Sequence, residues 1–71
     1  MEDFLNFVAD VMGVDASELD GNTTRNQYHK WDSLMHMRLV MEIEQKYDVE
    51  IPIEDMPNIM TINDLYKYVN E

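Results

Sequence analysis

Apolar residues recur at helical spacing in three stretches of the chain. Phe4, Val8, Val11 and Met12 share one face of a helix predicted over Asp3 to Met12, and Leu5 widens the stripe. Gly13 is the predicted stop. The connection from Val14 to Asp32 is rich in Asp, Asn, Thr and Gly. A loop that long in a small domain has a function of its own or is pinned by its own side chains. Val14, Leu19, Tyr28 and Trp31 are the candidates for pinning it. A second helix is predicted from Ser33 to Tyr47. The stretch "DVEIPIEDMPN" then holds two prolines, and the residue before each is biased out of the helical region, so only a short helical turn is expected. "TINDLYKYVN" reads as the last helix. Thr61 is its N-cap, Asp64 completes a capping box, and Ile62, Leu65, Tyr66 and Val69 form its buried stripe. Strand alternation, internal repeats and low-complexity tracts are lacking. The expected class is all-α: a four-helix bundle with three main helices and one short helix, and a long loop between helices 1 and 2, in one domain over residues 1–71.

The second helix carries more apolar surface than a small bundle needs. On a helical wheel, Leu39, Val40, Ile43 and Tyr47 fall within an arc of roughly 100°, with His36 inside it. Leu34, Met37 and Met41 lie on a second arc centred roughly 150° away, bordered by Glu44. The second arc either packs on another helix or is an exposed patch, and an exposed apolar patch on a small protein marks a partner surface. Methionine suits that use, because its flexible thioether adapts to different partners.

Composition narrows the partners. Fifteen Asp and Glu stand against five Lys and Arg, giving a net charge of −10 in 71 residues. Nucleic-acid phosphates and anionic lipid would repel such a chain, so a partner with a basic contact surface is expected. There are no cysteines, which excludes disulfides and thiolate metal sites. No apolar run approaches the roughly 20 residues that span a bilayer. "MEDFLNF" is acidic and lacks the basic start of a secretory signal, so a cytoplasmic monomer is expected.

The start of the second helix holds the candidate chemistry. Asp32 or Ser33 can cap its free amides. The same amides and the helix dipole favour negative charge, so a hydroxyl there could carry a phosphodiester with little electrostatic strain. A serine hydrolase is a poor alternative. Ser33 has Asp32, His29 and His36 near it in sequence, but G-x-S-x-G is missing and His36 points to the core arc. "DASELDGNTT" faintly suggests a calcium loop, yet with Gly21 in sixth place the first and twelfth places hold Ala16 and Gln27, which carry no carboxylate. A plain acidic protein–protein interaction module without a prosthetic group stays open as the alternative. It explains the methionine patch and the acidity but not Asp-Ser-Leu at the helix start.

The segment "WDSLMHMRLVMEIEQKYDVEIP" resembles the acyl and peptidyl carrier proteins, whose second helix opens with Asp-Ser-Leu and continues with aliphatics, acids, an aromatic and Ile-Pro. With the first helix, the long loop and the Thr61-capped last helix, the resemblance covers nearly the whole chain. It implies a carrier, not an enzyme. Ser33 matches the serine that receives 4′-phosphopantetheine from coenzyme A through a phosphopantetheinyl transferase. The arm's thiol then holds an acyl or aminoacyl group as a thioester, loaded by a ligase and passed to downstream acyl-transfer enzymes. Asp32 matches the acid that helps place magnesium during arm transfer. Leu34, Met37 and Met41 match positions where partners dock, and Glu42 and Glu44 lie where acids meet basic partner surfaces. Three features depart from the family. "HKW" replaces Leu-Gly-x before the motif, Arg38 stands where an acid is common, and Pro57 is expected to shorten the third helix. Arg38 bears on which partners are accepted. The cargo is not named by these residues, although a core of aliphatics and methionines has the composition to hold a short or medium acyl chain.

Overall fold

In a computed structural model of the chain, residues 2–69 are described, and the Asn70 of the last predicted helix lies outside them. The first helix, α1 (Glu2–Met12), opens with Glu2 and Asp3, whose charges complement the positive end of the helix dipole. It buries Phe4, Val8, Ala9 and Met12, while Leu5 and Val11 are half-buried against the same core. Gly13 ends it in the left-handed region at φ 74°, which needs no Cβ. There Gly13 N–H donates to the Asp10 carbonyl at 3.3 Å and Val14 N–H to the Ala9 carbonyl at 3.0 Å, the paired bonds of a Schellman stop.

The long connection is structured. It contains a short 3₁₀-helix at Ala16–Glu18, then a turn in which Asp20 accepts from Asn22 N–H at 2.8 Å. An isolated antiparallel bridge joins Thr24 to Thr61, the β-type pairing seen among the described residues. Leu19 and Trp31 are buried and Val14 and Tyr28 half-buried, so the four expected residues do pin the loop. Gly21 lies so close to the Asn63 side chain that a Cβ would overlap it, and Asn63 N–H donates to the Gly21 carbonyl at 2.9 Å.

The second helix, α2 (Ser33–Tyr47), keeps its expected bounds. It stops at Asp48, in the left-handed region at φ 54°. Two prolines then leave a 3₁₀-helix at Ile53–Asn58 with Pro57 inside it. The last helix, α3 (Ile62–Tyr66), is a short α segment continued by turn residues 67–69. Its capping box is closed on both sides: Asp64 N–H donates to Thr61 Oγ1 at 3.1 Å, and Thr61 N–H to Asp64 Oδ2 at 3.2 Å. Met60 N–H adds a bond at 3.0 Å, and these amides hold the Asp64 carboxyl below the usual carboxylate range. Phe4 joins the helices, with ring centroids 5.8 Å from Tyr47 and 5.1 Å from Tyr66. The all-α class holds throughout the described residues.

Candidate functional site

The two faces of α2 separate in space as the wheel requires. Leu39 and Ile43 are fully buried, and Val40 and His36 nearly so. Leu34, Met37 and Met41 are 79%, 54% and 56% exposed, so the second apolar face is a surface patch. Ile53, 80% exposed at the start of the neighbouring 3₁₀-helix, is a further large apolar side chain in water. Sequence periodicity passes over it, because a single apolar residue after Pro52 belongs to no stripe.

Asp32 and Ser33 divide the work at the helix start. Asp32 is the N-cap, in extended backbone, and its Oδ1 accepts from Met35 N–H at 2.8 Å. Its other oxygen has no hydrogen bond among the described residues. Ser33 is the first helical residue. Its side chain is exposed, and its hydroxyl has no hydrogen-bond partner among the described residues. With the capping done by Asp32, the Ser33 hydroxyl has no structural duty.

Behind this turn lies a buried polar clasp. Trp31, 2% exposed, donates its indole N–H to His36 Nδ1 at 3.0 Å. An accepting Nδ1 places the imidazole proton on Nε2, which donates to the Met56 carbonyl at 3.0 Å. Burial pushes the His36 pKa below its usual value; the Met56 bond opposes this and the charge of Arg25 adds to it. Both ring nitrogens are engaged inside the protein, so His36 is no base for Ser33. Arg25 closes the clasp from the far side, with guanidinium bonds to the Met56 carbonyl at 3.4 Å and the Pro57 carbonyl at 3.2 Å. Nothing in the sequence pattern singled out Arg25, whose partners lie more than thirty residues away.

The remaining expected residues are placed as follows. Arg38 is exposed beside the patch, and Glu42 is half-buried. Glu44 is half-buried, and its Oε2 accepts from Ile51 N–H at 2.8 Å, tying the end of α2 to the Ile51-Pro52 segment. Among the described residues, no group of three or more His, Cys, Asp or Glu side chains is arranged to hold a metal ion, and no helix is long and apolar enough to cross a membrane.

Comparison with known proteins gives this arrangement its context. Residues 2–69 match the family described as "Phosphopantetheine attachment site". The chain belongs to that family and is a carrier protein bearing a phosphopantetheine arm. It is similar to the acyl carrier protein of Chlamydia felis, with 34% identity over 68 residues that cover 96% of this chain and 87% of that protein.

Proposed function

We propose that Ser33 is the residue that takes the arm, and that the Leu34, Met37 and Met41 face of α2 receives the enzymes that load and use it. The observation that carries this reading is the bare Ser33 hydroxyl on the first residue of α2, next to a cap that Asp32 already supplies. The residues fit a phosphodiester there. The free amides of the first helical turn favour an anion, and the open side of Ser33 leaves room for a long substituent. When bound, the arm supplies a terminal thiol that holds an acyl or aminoacyl group as a thioester. The chain's own residues present it: α2 fixes the anchor, and the apolar patch one to two turns along gives each partner a register relative to it.

The unbonded oxygen of Asp32 is free to help place magnesium while a phosphopantetheinyl transferase works on Ser33. Ile53 offers a further exposed apolar contact on the next element. Glu42 supplies charge for a basic partner surface, whereas Glu44 has one oxygen committed to Ile51. Exposed Arg38 asks for an acid on the partner and so narrows the set of loading ligases and acyl-transfer enzymes that fit. The protein acts as a cytoplasmic monomer and hands over its cargo without catalysing the transfer.

The test is arm transfer from coenzyme A with magnesium and a broad-specificity transferase. The wild type gains the mass of one arm on the peptide containing Ser33. Ser33→Ala gains none and keeps its stability within about 0.5 kcal/mol, as expected for a surface position outside a cap. An arm found on the alanine variant, or on another peptide of the wild type, would overturn the assignment.

A further inference from the structure

Beside Ser33 the surface dips into an open cleft between α2 and the Ile53–Asn58 3₁₀-helix, lined by Arg25, Trp31, His36, Met37 and Met56. Ser33 is itself part of the lining, so the cleft is the opening towards the bundle interior that a group anchored there meets. The passage is filled. Trp31 and His36 are 2% and 4% exposed and form the floor of the cleft, with ring centroids 5.9 Å apart. Their polar atoms are joined in series, Trp31 Nε1 to His36 Nδ1 and His36 Nε2 to the Met56 carbonyl. Arg25 holds Met56 and Pro57 from the other side, so the 3₁₀-helix is clasped at both edges. An alkyl chain entering here would displace a buried indole and leave the indole N–H and His36 Nδ1 short of partners, where no substitute donor or acceptor comes with the chain.

We propose that the Trp31–His36–Met56 clasp seals the core against the cargo, so that the acyl group is carried outside the bundle and is of a short or polar kind. The inference rests on the reading of Ser33 as the anchor. Every methylene left in water opposes solubility and invites aggregation or misdocking. A carrier of long alkyl chains therefore needs an apolar space within reach of its anchor. Here the side chains under the anchor are an indole and an imidazole locked by hydrogen bonds, and the cleft above them includes a guanidinium edge. That environment suits an aminoacyl, hydroxyacyl or two- to four-carbon acyl group, whose free end has little to gain from burial.

The experiment loads the whole protein enzymatically with acetyl-, β-alanyl- or octanoyl-phosphopantetheine from the matching coenzyme A thioester. The modified peptide is located by mass, and the Trp31 indole N–H resonance, the core methyl resonances and the melting midpoint are then compared. Octanoyl loading is expected to leave the indole resonance and the core methyls where acetyl and β-alanyl loading leave them, with the same midpoint. A displaced indole signal, shifted Leu39, Ile43 or Ile62 methyls and a raised midpoint with octanoyl alone would show the chain inside and overturn the proposal. Trp31→Ala removes the seal. Where it folds, octanoyl should shift the core methyls and raise the midpoint relative to acetyl. Trp31→Phe keeps an aromatic ring in the passage but loses the indole donor and part of the bulk, so its octanoyl response should fall between those of the wild type and Trp31→Ala. Loading at a residue other than Ser33 is a separate result: it removes the anchor, and the proposal falls with it.

Discussion

His36 shows how one buried side chain fixes both a conformation and a pH limit. Its neutral form is required twice, as acceptor from Trp31 and as donor to Met56. Burial is the chief cause of its lowered pKa. Because the folded value lies below the ordinary 6.5, the unfolded chain takes up the proton first as pH falls. Stability is therefore intact above the ordinary value, declines as pH drops through the window below it, and stops declining once the folded value is passed. Melting midpoints from about pH 7.5 to pH 5 check this. His36→Gln, which can still accept and donate but does not titrate, should lose less of its midpoint over that window than the wild type. Equal slopes would mean that the imidazole stays neutral only incidentally and that the carboxylates set the pH response. Protonation would also set an N–H against the Trp31 N–H, so an acid-induced change in indole emission should accompany the loss.

At the scale of the helix, α2 carries its division of labour on two faces, and single truncations should separate them. Leu39 is fully buried, so Leu39→Ala should destabilise by about 2–5 kcal/mol. Met37 is 54% exposed, and Met37→Ala should change stability by only about 0.5 kcal/mol while weakening partner binding. Urea melts of the two variants are the measurement; a large loss with Met37→Ala would put the second face in the core. α2 was legible in the sequence because its signals are local. Asp32 caps it, apolar residues repeat at helical spacing along it, and both faces follow from the wheel. Ala9 on α1 was not legible as core, since its small side chain carries no weight in a stripe of large ones. The loop hid more. The Ala16–Glu18 3₁₀-helix is too short to show a period, and the Thr24–Thr61 bridge joins residues far apart. Trp31 and His36 could each be read as buried, but their pairing depends on where Met56 and Arg25 arrive. That is set by tertiary packing rather than by spacing. Ser33 was recognisable from its motif, whereas its freedom from capping needed the observed bond from Met35 to Asp32.

For the molecule as a whole, the excess of negative charge adds to the forces that oppose folding. Glu42, Glu44, Asp48, Glu50, Glu54 and Asp55 are grouped in the second half of α2 and the segment after it, with Lys46 as the basic residue of that window. Lys46 does not neutralise them: its ammonium sits 5.4 Å from the Phe7 ring centroid and 5.9 Å from that of Tyr47. The ion pair seen among the described residues, Lys67 with Asp64 at 3.6 Å, lies elsewhere. Repulsion of this kind weakens the compact state. Raising salt from 0.01 M to 0.1 M shortens the screening length from about 30 Å to about 10 Å, so the melting midpoint should rise. Millimolar magnesium should raise it further by loose association with the acids. An unmoved midpoint in both would show that the acids are too well solvated to oppose folding. The position of Ser33 on the exposed side of α2 has a different kind of consequence. The folded chain has 4641 Å² of accessible surface, and a standard protein–protein footprint of about 800 Å² would take roughly a sixth of it. With Ser33 as the proposed anchor, two footprints that both reach it cannot coexist, and successive enzymes would have to take turns. Each must let go before the next can bind, and tight complexes would stall the line. On so small a carrier, short residence times are a condition of throughput.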